Sequence, residues 1–134
     1  MTNDFNPKEA GYFFPAEFAP HEATWLSWPH KEASWPDKID AIYPNYALFI
    51  KYLSESELVR INVVDEAMKA FAIAHIQATG AIMENIKFYL HPTNDAWCRD
   101  HGPAFLINPK ERKRLILDWD YNAWGGKYPP HDLD

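Results

Sequence analysis

The chain has 134 residues, 47% of them hydrophobic and 24% charged, with a formal charge of −6, which suits one globular domain. The acidic balance argues against a nucleic-acid partner, and a single cysteine, Cys98, excludes an intrachain disulfide or a cysteine-based zinc site. No apolar run approaches the roughly 18 residues of a membrane span, and Met1 to Lys8 lacks the basic-then-apolar order of a secretory leader, so the expectation is a cytoplasmic protein without a membrane partner.

Residues 1–37 are rich in Pro and aromatics and show no long periodicity. Within them, 23–28 (Ala-Thr-Trp-Leu-Ser-Trp) predicts a short strand ended by Pro29. The spacing of Ile39, Ile42, Tyr46, Phe49, Ile50 and Leu53 predicts a helix over 37–53. Pro44 either kinks it or is the first-turn proline of a helix that starts late. The β-branched run 58–64 predicts a buried strand. Asp65 then serves as an N-cap and Gly80 as a C-cap of a helix whose apolar stripe is Met68, Phe71, Ala72 and Ile76. A third strand follows at 86–90, stopped by His91 and Pro92. Strand, helix and strand here make a βαβ-sized unit. Beyond a polar stretch, 104–107 and 115–119 predict a hairpin around Asn108 to Glu111, with Lys110, Arg112, Lys113 and Arg114 at its solvated tip. The last residues, Tyr128 to Asp134, hold prolines and acidic N-cap candidates that normally open a helix, the pattern of an interrupted chain.

Aromatic residues make up 16% of the chain, with six Trp among them. Most are expected in the core, leaving a few to line a pocket for a flat or cationic ligand. The densest polar cluster runs from Asn94 to Pro103 (Asn-Asp-Ala-Trp-Cys-Arg-Asp-His-Gly-Pro), directly after a strand end, where loops on a rigid scaffold carry functional groups. It reads either as a site or as a turn in which Arg99 pairs with Asp95 or Asp100. Cys98 is near Arg99 and His101, yet on extended chain it points away from Trp97 and Arg99, and cysteine is commonly buried and inert. His21 and His30 flank the first strand without metal-ligand spacing. Gly125 and Gly126 permit a tight turn beside Trp124.

Three segments carry a resemblance: Pro15 to His30, Asn94 to Pro103, and Trp119 to Gly126. Together they resemble agmatine deiminases of the bacterial peptidylarginine deiminase-like family, within the guanidino-modifying superfamily. The resemblance implies an α/β fold, the pentein-like propeller of five pseudo-repeated units. This chain would hold the first unit and the start of the second as one partial domain, 1–134. It implies a hydrolase acting on a linear amidine C–N bond, converting agmatine and water to N-carbamoylputrescine and ammonia on the route to putrescine, with no metal or organic cofactor.

In that chemistry a cysteine thiolate attacks the guanidinium carbon, a histidine serves as acid and base, and carboxylates grip the guanidinium nitrogens. Asp100 takes the catalytic carboxylate position and Trp97 the packing indole, with Asp95, Arg99 and Trp124 as supporting substrate residues. The family's nucleophile and its histidine segment lie in later repeats, and Cys98 falls at a variable position. The implied state is therefore an N-terminal portion, inactive alone, exposing apolar surface that favours self-association. The alternatives are a peptidylarginine deiminase of the same family, or a non-catalytic module that binds a cationic guanidino ligand.

Overall fold

The computed structural model describes residues 5–134, so the leader reading of Met1 to Lys8 falls partly outside the described residues. Strands β1 (Ala23–Ser27), β2 (Leu58–Val63) and β3 (Ile86–Leu90) form a parallel sheet in the order β1-β2-β3. Helix α1 (Ile39–Ser54) joins the first pair and α2 (Glu66–Ala78) the second. Alternation along β2 sends Val59, Ile61 and Val63 to one face. There they meet Leu26 and Trp28 from the β1 side, Ala47 and Ile50 of α1, and Ala72 and Ile76 of α2. Both helices therefore cover the same face. Burial of side chains of this size contributes roughly 1.5–3 kcal/mol each, and this cluster is the core.

Local chemistry explains the boundaries. Asp65 caps α2, its Oδ1 accepting from the Met68 amide at 2.7 Å, and Gly80 follows the helix with φ +74°. Helix α1 starts at Ile39 and runs through Pro44 without the late start that its sequence allowed. At its end the Ser54 hydroxyl donates to the Lys51 carbonyl at 2.7 Å and accepts from the Ile82 amide at 3.1 Å. That bond ties α1 to the chain entering β3.

The opposite face of the sheet is aromatic and polar. Trp25 packs on Tyr89 with ring centroids 4.8 Å apart, and the Arg60 guanidinium lies 5.5 Å from the Trp25 ring. After β3 the chain makes one helical turn, α3 (Cys98–His101). It then enters an antiparallel hairpin of β4 (Ala104–Asn108) and β5 (Lys113–Leu117). The expectation that all four basic residues sit at the hairpin tip is corrected here. Lys113 and Arg114 lie within β5, opposite Asn108 and Ile107, because Arg112 turns the chain early with φ +53°. Trp119 lies beyond the strand. On the far side of β4, Phe13 and Ile107 exchange backbone hydrogen bonds at 3.0 and 2.9 Å.

Candidate functional site

The 94–100 segment leaves the end of β3 and returns against β1. Extended geometry at Cys98 is corrected: the residue opens α3, and its thiol donates to the Trp25 carbonyl at 3.3 Å. The turn needs Gly102 at its end, because a Cβ there would collide with the Cys98 carbonyl. Burial pushes the Cys98 thiol above its ordinary value, with the Asp100 charge adding to the effect. A thiol of this kind is neither a thiolate nor paired with an imidazole.

A cleft of about 650 Å³ opens beside this turn, lined by Ala33, Ser34, Asp95, Trp97, Asp100, Trp124, Lys127 and Tyr128. The two carboxylates differ in their surroundings. Asp95 is 5% exposed, and its oxygens are occupied. Oδ1 accepts from the Ala96 amide at 2.7 Å, and Oδ2 accepts from the Ser34 hydroxyl with the Lys31 ammonium 3.9 Å away. Asp100 is exposed, and its carboxylate makes no hydrogen bond or ion pair among the described residues. Only Asp100 thus offers an unengaged carboxylate, the group that forms forked, charge-assisted bonds to a guanidinium.

The indoles come from two elements. Trp97 stacks on Trp35 at 5.6 Å and 21°, and meets Trp124 edge-on at 6.4 Å and 80°. Trp124 stands on an unusual backbone. Ala123, Trp124, Gly125 and Gly126 all have positive φ, of 49°, 55°, 81° and 74°, so the Ala123–Gly126 turn is left-handed. The Asn122 side chain holds it by accepting from the Gly125 amide at 2.9 Å. Left-handed backbone costs non-glycine residues roughly 1–2 kcal/mol each, and such strain clusters at functional sites. Tyr121 and Tyr128 brace Trp124 edge-on at 5.8 and 5.6 Å. Burial raises the Tyr121 phenol, and the charges of Asp134, Asp100 and Asp95 raise it further.

Four of the five residues singled out in sequence, Asp95, Trp97, Asp100 and Trp124, meet on this cleft. Arg99 does not. Its guanidinium turns outward to Glu17 at 2.5 Å, because one helical turn puts Arg99 and Asp100 on different sides. Neither Asp95 nor Asp100 is its partner. His101 does not line the cleft and faces Tyr121 at 5.8 Å. The sequence reading missed Ser34, Trp35 and Lys127. Asp134 at the chain's end caps the loop, its Oδ1 accepting from the Asn94 and Asp95 amides at 2.7 and 3.1 Å. Among the described residues, no group of three or more His, Cys, Asp or Glu side chains could hold a metal ion, and no helix is long and apolar enough to cross a membrane.

Known proteins resemble this chain in sequence and fold. A protein of Selenomonas ruminantium named "Putative agmatine deiminase" is 36% identical over 138 residues, covering 100% of this chain and 36% of that protein. A Yersinia pseudotuberculosis protein of the same name is 33% identical over 120 residues, covering 90% of this chain and 31% of its own length. Among solved structures, a substrate-bound agmatine deiminase of C. jejuni superposes with a TM-score of 0.74 at 25% identity. That alignment covers 91% of this chain and 33% of the C. jejuni chain. The present chain therefore spans about a third of the length of the relatives it matches. The model of Porphyromonas-type peptidyl-arginine deiminases matches residues 13–134, and on that match, with the relatives beside it, the chain belongs to that family.

Proposed function

We propose that this chain supplies the guanidinium-binding wall of an agmatine deiminase. In the full reaction one C–N bond of the agmatine guanidinium is replaced by a C–O bond from water, giving N-carbamoylputrescine and ammonia. The single observation that carries this reading is the unengaged Asp100 carboxylate beside the crossed indoles of Trp97 and Trp124 on one cleft. Asp100 bonds the guanidinium nitrogens, and Trp97 offers a π face to the flat cation. Asp95 and Trp124 support the loop and the second wall, and Arg99 acts outside the cleft. The substrate-bound C. jejuni relative supports a small guanidino ligand.

This reading includes the first unit and the start of the second in a five-unit α/β propeller, which the three-stranded sheet followed by a separate hairpin suits. The chain's one cysteine is a protonated, carbonyl-bonded thiol outside the cleft lining. The chain alone therefore binds agmatine and releases no ammonia from it. Calorimetric titration with agmatine, followed by an ammonia assay on the same sample, tests both halves. Absence of binding contradicts the assignment, and ammonia release that iodoacetamide abolishes makes Cys98 a working nucleophile.

Lys127 supports a second reading, a deiminase of peptidyl arginine. It lines the cleft, and its ammonium has no ion-pair partner among the described residues, which suits a ligand that carries a carboxylate as well as a guanidinium. Tighter binding of a peptide ending in arginine than of agmatine selects this reading over the first.

A further inference from the structure

The segment just after β1 reaches the site loop through three side chains, those of His30, Ser34 and Trp35. His30 Nε2 lies 3.0 Å from the Thr93 carbonyl. The Ser34 hydroxyl donates to Asp95 Oδ2. Trp35 stacks on Trp97 at 5.6 Å, with the rings 21° from parallel. Ser34 closes a short 3-10 turn (Glu32–Ser34), and Trp35 follows it directly, so the side chains that touch Asp95 and Trp97 come from neighbouring residues on one rigid turn. Trp35 itself does not line the cleft.

This arrangement has a chemical consequence at Trp97. An indole attracts a cation through its face, and a ring held parallel to a planar guanidinium also lets that cation stack on it. Trp35 stacks on one face of Trp97, Trp124 meets it at 80°, and Trp97 lines the cleft. The Trp35 ring is not held by a hydrogen bond: its indole nitrogen is buried without an acceptor among the described residues. What it contributes is its ring face.

We propose that Trp35 is a positioning residue for ligand recognition: stacked behind Trp97, it fixes the plane against which a guanidinium lies, with Ser34 anchoring the same loop through Asp95. Resting on the guanidinium-binding reading above, this deepens it by naming what makes the site select a flat guanidinium over an ammonium of equal charge. Trp35→Leu keeps apolar bulk and removes the ring. Trp35→Phe keeps a ring and removes the unpartnered donor, whose burial is itself unfavourable.

The test compares agmatine with 1,4-diaminobutane, which carries the same charge without a guanidinium, by calorimetric titration of the full chain and its variants. The Trp–Trp exciton band in far-ultraviolet circular dichroism reports the stack without any ligand. Trp35→Leu is expected to reduce the exciton band to the part contributed by Trp97 and Trp124 and to weaken agmatine binding on the order of tenfold, the size of one partly desolvated cation–π contact, while diaminobutane affinity stays within about twofold of wild type. Trp35→Phe is expected to keep most of the preference for agmatine. Ser34→Ala, which removes only a hydroxyl, should lower the same preference and serves if the leucine variant fails to fold. An unchanged ratio of the two affinities in these variants, or an unchanged exciton band in Trp35→Leu, overturns the proposal. If wild type binds no agmatine, the guanidinium-binding reading fails instead, and the positioning role falls with it.

Discussion

At the level of single residues, the contrast between Asp95 and Asp100 organises the site. Two carboxylates five positions apart share a cleft, yet one is spent on Ser34, Ala96 and Lys31 while the other is unengaged. Asp95→Asn should therefore act on folding: it puts an amide donor where the Ser34 hydroxyl and Lys31 need an acceptor, and urea unfolding should show a loss of about 1–3 kcal/mol. Lys127 gives a second prediction. Its ammonium opposes a dicationic ligand, so Lys127→Gln should tighten agmatine about two- to fivefold at low salt. The same change should weaken a peptide ending in arginine, and both effects should fade in titrations at high salt. That Asp100, Trp97 and Trp124 gather at one place was legible in the sequence because their motif neighbours are distinctive. That Arg99 pairs with Glu17 was not, since the partner is remote in sequence and the choice depends on one short helical turn.

Elements differ in how openly the sequence announces them. Strand β3 runs where the sequence places it, at 86–90, because a largely apolar run is followed by the His91-Pro92 stop. Helix α2 follows its Asp65 cap. By contrast α3 is four residues long, too short for helical periodicity to register. The left-handed Ala123–Gly126 turn shows only its two glycines in advance; that Ala123 and Trp124 share the conformation is imposed by Asn122 and the aromatic cluster around it. The strain at Trp124 can be measured directly. Trp124→Gly should exceed Trp124→Ala in stability by about 1 kcal/mol in thermal or urea unfolding, since both lack the indole and only the alanine keeps the left-handed penalty. Within the parallel sheet, Ile61 on the central strand is fully buried. Ile61→Ala should cost about 2–5 kcal/mol in urea unfolding.

Across the whole molecule, among the described residues, the thiol and the phenols that depart clearly from their ordinary values share one direction. The Cys98 thiol and the phenols of Tyr46, Tyr43 and Tyr121 are all raised, chiefly by burial. An acid raised in the folded state holds its proton more tightly there than in the unfolded chain. Its contribution is complete below the ordinary value and is lost as pH rises through the folded one. Stability from these groups should thus be level up to the ordinary thiol value of 9.0 and decline through and beyond the phenol value of 10.0, as urea midpoints across that range would reveal.

The surface carries much unpaired aromatic area, including Phe18 at 93% and Trp119 at 68% exposure. Light scattering on the 134-residue chain should show association that grows with concentration.

Guanidinium capture by Asp100 is the claim on which the rest depends, and calorimetric titration of agmatine into wild type and Asp100→Asn tests it most directly. The substitution keeps the side chain's size and removes the charge, and the Asp100 carboxylate has no partner among the described residues to lose. Thermal stability should be unchanged, while agmatine affinity falls at least on the order of tenfold, as expected for loss of a charge-assisted, forked contact. Equal agmatine affinity in the two proteins would contradict the assignment and leave Asp100 as a solvated surface charge.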